Sequence, residues 1–244
     1  HSEDWTIIIN YVRDQWRNQV KDNPNRRYWY HRNCIWHYLL FSKNTGMSPE
    51  EILKMKWKQI EIVDEGRINS KGDRVSWEVA YISTVRSKTQ QAREIPANQA
   101  RELRRWKEFV TEFCKEYSLP MPTKDTPVFG NVLSYAVKPA GWREYHRTDF
   151  GKTWRKIRED LDGQLSGHKF SPHPYTLYSL RSTFIEDALL RGVPVMEVAE
   201  MAGHSIVETQ KSYARLNLRK KGREITMPKL GKSKTKSDDT EQLF

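Results

Sequence analysis

Four short stretches decide how this chain reads: Tyr178-Ser179-Leu180-Arg181-Ser182-Thr183-Phe184, Arg191-Gly192-Val193-Pro194, Met201-Ala202-Gly203-His204-Ser205 and Lys211-Ser212-Tyr213-Ala214. A helical pattern starts near Leu180, and glycine punctuates it at Gly192 and Gly203. His204 follows Arg181 by 23 residues and Tyr213 lies nine beyond it. Taken singly, each residue has an ordinary use. A lone arginine pairs with a surface carboxylate, a Gly-His step ends a helix, and Tyr213, seven residues from Ile206, packs on a helix face. The order and spacing of all of them together point to chemistry.

Working outward, the upstream chain reads as helices interrupted by one patch of strands. Trp5 to about Val20 has Ile8, Tyr11, Val12 and Trp16 at helical spacing, and the polar run 21–25 breaks it. From Arg27 through Phe41 the chain is aromatic and apolar, the mark of a largely buried helix that stops at Asn44-Thr45-Gly46. Ser48-Pro49-Glu50-Glu51 then starts another, with Ser48 as N-cap, Pro49 at the first helical position and Glu51 completing a capping box. Ile60 and Ile62 alternate with charge, and Val75, Trp77, Val79 and Tyr81 alternate in period two. A third strand ends at Ile95-Pro96. Helical pattern returns at Leu103–Phe113 and at Thr148–Leu161, with a Pro- and Gly-rich loop between them. The expected fold is therefore α+β and mostly helical, with a small antiparallel sheet on one edge. Three segments are expected: an N-terminal helix or linker over 1–26, a catalytic domain over 27–218 and a basic tail over 219–244.

Composition narrows the partners. The chain has 244 residues, 42 Lys and Arg against 31 Asp and Glu, and a net charge of +11. That excess favours a polyanion, most simply nucleic acid. Nine Trp and 37% hydrophobic residues supply a core without staples. No apolar run approaches the ~18 residues of a spanning helix, so no membrane partner is expected. Cys34 and Cys114 stand apart in apolar surroundings and read as buried free thiols rather than a disulfide. No Cys/His cluster has zinc spacing, and neither a metal nor an organic cofactor is expected.

These stretches resemble the C-terminal boxes of the tyrosine recombinases, the family that includes phage integrases. Asn44-Thr45-Gly46-Met47-Ser48-Pro49-Glu50-Glu51, followed by apolar residues and Trp57, is similar to the family's first box. Ser87-Lys88-Thr89 before Arg93-Glu94-Ile95-Pro96 is similar to its lysine-bearing sheet turn. The likeness covers roughly residues 30–218. It implies the tyrosine recombinase catalytic-domain fold and a site-specific recombinase that cleaves and rejoins duplex DNA through a 3′-phosphotyrosine. Tyr213 is then the nucleophile, Arg181 and His204 the phosphate and transition-state donors, and Lys88 the acid for the leaving 5′ oxygen. Tyr178 occupies a position usually held by histidine. Implied partners are attachment-site DNA, a four-way junction and further copies of the chain in a tetramer. The implied location is the bacterial cytoplasm or nucleoid, as the product of a phage or mobile element.

The residue types suit such a reaction. Cleaving a phosphodiester without a metal needs a nucleophile, fixed positive charge on the non-bridging oxygens and a proton for the leaving group. Guanidinium groups meet the second need with paired hydrogen bonds. Ser48 departs from the pattern, because it stands where the family places its first catalytic arginine. Losing such a donor costs ~3 kcal/mol, about a hundredfold in rate. Two readings follow: a recombinase slowed at Ser48, or a DNA-binding relative that no longer cleaves. A topoisomerase IB-like enzyme shares the chemistry and is disfavoured by the Thr-Gly-Met and Ala-Gly-His boxes.

Overall fold

The N-terminal segment is a helix committed to the core. In the computed structural model, which describes residues 2–85, 92–132, 141–165, 175–207 and 209–210, α1 spans Ser2–Tyr11 and continues as a π turn over Val12–Trp16. Its Ile8, Val12 and Trp16 join the same buried cluster as the centre of the molecule. Asp4, 2% exposed, accepts a hydrogen bond from the Tyr175 hydroxyl at 2.6 Å, so this helix is also fastened to the segment that precedes the Arg181 box.

The central helix α2, Arg26–Thr45, starts at Asn25, whose side chain accepts from the Arg27 N–H. Tyr30, Cys34, Tyr38, Leu39 and Phe41 are almost wholly buried along it. α3 follows over Pro49–Lys54. Next comes a three-stranded antiparallel sheet in the order β1 (Ile60–Asp64), β4 (Glu78–Val85), β5 (Ala92–Ala97). Two small ribbons accompany it, β2 (Arg67–Ile68) with β3 (Arg74–Val75) and β6 (Gly130–Asn131) with β7 (Arg143–Glu144). The register pairs Ile60 with Ile82 and Ile82 with Ile95.

Of the alternation read at Val75, Trp77, Val79 and Tyr81, Val79 and Tyr81 lie on the outer face of β4, Val75 belongs to the β2–β3 ribbon and Trp77 to the link between β3 and β4. The core instead takes Ala80, Ile82 and Thr84, while Trp77 stays 41% exposed and stacks under the Arg67 guanidinium. Small and branched residues fit beneath α2 and α4, whereas the bulky alternating set needs no partner layer.

α4, Ala100–Glu116, buries Leu103, Trp106, Val110 and Phe113 on one face. Trp106 donates through Nε1 to the Val128 carbonyl at 2.7 Å, meeting the polar need that a buried indole brings. α5 (Arg147–Asp160), α6 (Ser179–Leu190) and α7 (Val195–Ala202) complete the body. Phe184, Ile185, Ala188, Leu189, Val198 and Ala202 form a second, smaller core between α6 and α7. Cys34 and Cys114 are both buried free thiols, as expected, and burial raises the Cys114 thiol to about 11. Among the described residues no helix is long and apolar enough to cross a membrane.

Candidate active site

The site forms where α2 ends. Gly46 caps α2 in the left-handed conformation, with φ of +64°, and its N–H donates to the Ser42 carbonyl at 3.2 Å. A Cβ here would lie 2.3 Å from Phe184 Cδ1, so glycine is required both by the backbone and by the close approach of α6. Two residues on, Ser48 caps α3. Its Oγ accepts from the Glu51 N–H at 3.4 Å, and its own N–H donates to Glu51 Oε2 at 2.8 Å. This is the capping box that the sequence predicts.

The box does more than start a helix. It holds Glu51 Oε2 where Arg93 Nη2 donates to it at 3.0 Å and Arg181 Nη1 lies 4.0 Å away. All three side chains are about 95% buried. One carboxylate between two guanidinium groups leaves a net positive charge at the base of the site, in surroundings where charge is poorly screened.

Arg181 is fixed from three directions, its Nη1 donating to the Gly46 carbonyl at 2.9 Å and its Nη2 to the Ala202 carbonyl. Nε donates to His204 Nε2 at 3.1 Å. The arginine thereby ties together the end of α2, the start of α6 and the end of α7. His204 reaches it because Gly203, at φ +62°, ends α7 in the left-handed conformation and the His204 N–H closes back on the Ala199 carbonyl at 2.9 Å. Since guanidinium Nε always carries its proton, His204 Nε2 is the acceptor in this contact. The Tyr178 hydroxyl lies 3.3 Å from the same nitrogen, and the Tyr178 ring packs beside the guanidinium, 5.7 Å from ring centre to Cζ.

An open groove of about 800 Å³ runs past this cluster. Ser48 and the start of α3 line one side, Tyr175–Tyr178 and Arg181 another, and α5 the third. From α5 come Arg147, Lys152, Arg155 and Arg158, and none of these has a carboxylate within ion-pair distance among the described residues. The groove's two carboxylates are engaged elsewhere, Glu50 by Lys54 at 2.7 Å and Glu51 by Arg93. Five cations against these two carboxylates give it a positive balance that suits an anion.

Of the residues singled out from sequence, the structure brings Tyr178, Arg181 and His204 into hydrogen-bond reach and places Ser48 on the groove beside them. Lys88, Tyr213 and the segment 219–244 lie outside the described residues. Sequence reading missed two contributors. Glu51 was visible only as a capping residue, although it also balances the buried arginines. The α5 cations were legible in part as a stripe, since Arg147, Arg155 and Arg158 fall on one helix face with Lys152 beside it, but nothing local says what that face meets. Among the described residues no group of three or more His, Cys, Asp or Glu could hold a metal ion.

The helical body with its edge sheet, and a buried arginine joined to a histidine after a glycine stop, define the catalytic-domain fold of the tyrosine recombinases. The chain belongs to the phage integrase family, which residues 22–220 match. Solved structures agree on the fold. XerH site-specific recombinase bound to palindromic difH substrate, a post-cleavage complex, superposes with a TM-score of 0.60 at 13% identity, over 93% of this chain and 52% of that one. XerA recombinase gives 0.53 at 12%, over 94% and 65%. A lambda integrase tetramer bound to a Holliday junction gives 0.50 at 14%, over 88% and 48%. The chain therefore spans about half to two thirds of the length of these relatives. No curated protein matches the sequence.

Proposed function

We propose that this chain is the catalytic part of a site-specific integrase that cuts and rejoins duplex DNA through a 3′-phosphotyrosine. The observation that carries this reading is the Arg181–His204–Tyr178 cluster opening onto a cation-lined groove. A phosphodiester in the groove meets Arg181 already oriented by two backbone carbonyls, so little reorganisation is needed as charge builds on the phosphorus oxygens. In the cleavage step the Tyr213 oxygen bonds to phosphorus and the bond to the 5′ oxygen breaks. The phenol gives up its proton to solvent, and Lys88 supplies one to the leaving oxygen. The resulting ester keeps the energy of the broken bond, and attack by a 5′ hydroxyl reverses the step. Duplex attachment sites are the substrate, and copies of the chain assemble as a tetramer on a four-way junction; the recombinases named above, crystallised on difH and on a Holliday junction, support this. Ser48 brings no charge to the phosphate and slows the reaction.

The test is covalent capture on nicked duplexes carrying a randomised core, with adducts recovered on denaturing gels and sequenced. The chain and its Ser48→Arg variant are expected to give adducts, the variant faster, and Tyr213→Phe is expected to give none. Adducts that survive Tyr213→Phe would remove that residue as nucleophile. Binding without an adduct from either form would favour the non-cleaving reading, for which the engagement of Ser48 Oγ in the helix cap is the specific support.

A further inference from the structure

The wall of the groove formed by α5 carries more charge than fold stability explains. Arg147 opens the helix, where a cation opposes the helix dipole, and it faces Glu50 on α3, whose carboxyl is already held by Lys54. Arg155 lies two turns further along the same face, and Arg158 follows with its Nε buried and without a hydrogen-bond partner. Ser48, uncharged and committed to its cap, lines the same groove as these arginines and Arg181. A helix that turns cations towards a groove instead of towards carboxylates raises the positive potential there and favours an anion.

We propose that Arg147 and Arg155 of α5 supply, from the opposite wall of the groove, the positive charge that position 48 lacks, each donating to a non-bridging oxygen of the phosphate under attack. This inference rests on the proposed function. It adds that the chain is not simply short of a cation: the charge has moved from the start of α3 to one face of α5. Both side chains are exposed, so they can reach a phosphate without unfolding any packing. Arginine is the residue suited to this, since its planar donors bind two phosphate oxygens at once.

A mutant cycle on covalent capture tests it, using the full chain and a duplex recovered from the adduct selection. Arg147→Ala with Arg155→Ala is expected to slow adduct formation about a hundredfold in the Ser48 protein and less than about tenfold in the Ser48→Arg protein, where the charge has been restored. Lysine at both positions should recover part of the loss. Thermal melts confirm that each variant folds, and fluorescence anisotropy at several salt concentrations separates affinity from rate. Equal losses in the two backgrounds would overturn the inference and assign these arginines to general backbone contact. So would a Ser48 protein that forms no adduct while Ser48→Arg does, and in that case the proposed function stands. Absence of adduct from both overturns the proposed function, and this inference with it.

Discussion

Glu51 shows how much one carboxylate settles. Its Oε2 takes the Ser48 N–H, the Arg93 guanidinium and the field of Arg181, so it serves a helix cap, a strand and the site at once. Removing one member of a buried ionic cluster strands the others, at a cost of ~3–5 kcal/mol. Glu51→Ala is therefore expected to lower stability by about that amount in urea titration, and Glu51→Gln, which keeps an acceptor oxygen, by less. A loss below ~1 kcal/mol for the alanine would show that Arg93 and Arg181 find other counter-charges. In sequence Glu51 was visible only as the partner of Ser48, because a capping box is local while Arg93 and Arg181 are 42 and 130 residues away.

At the scale of the element, α3 sets stability against chemistry. Its six residues depend on Ser48 as N-cap and on Pro49 at the first position. An arginine at 48 cannot accept the Glu51 N–H, so Ser48→Arg is expected to lose ~1 kcal/mol of stability even as it speeds the reaction. Ser48→Ala should lose a similar amount with no gain in adduct. Melting curves paired with adduct rates check this; an unchanged melting temperature in both variants would mean that Pro49 and the Glu51 carboxylate suffice to start the helix. The same scale decides which face of the sheet turns inward. Period two was legible in β4, but both of its faces carry apolar residues. Which face is inward was settled by the packing of the helices, under which Ala80 and Ile82 are fully buried while Trp77 stays 41% exposed.

For the whole molecule, two histidines are expected to set the acid limit. Both belong to α2: His31 bonds Thr153 at 3.0 Å, and His37 is 6% exposed against the rings of Trp36 and Trp106. Burial is the main cause that lowers them, to about 4 for His31 and about 3 for His37. These values lie below that of a histidine in the unfolded chain, ~6.5, so the unfolded chain binds more protons as pH falls. Stability from the neutral rings is full above about pH 6.5 and is lost progressively as pH drops towards 4 and 3, on the order of 3 kcal/mol for each. Urea midpoints measured from pH 7.5 to 4 are expected to fall steadily below 6.5, and more shallowly in His37→Phe. A slope unchanged by that substitution would assign the acid limit to other groups.

The sequence by itself determined the helix stops at Gly46 and Gly203, the cap at Ser48, the α+β grammar and the order in which Arg181 and His204 are delivered. Caps, glycine conformations and hydrophobic periods are encoded within a few neighbouring residues, so they survive without knowledge of the fold. Only the tertiary structure decided that α1 and the turn after it belong to the core through Asp4, Ile8 and Trp16, that Glu51 balances two buried arginines, and that the cations of α5 line one groove with Ser48. Each of these joins residues far apart in the chain through packing and unscreened charge, and that energy exists only once the helices have met.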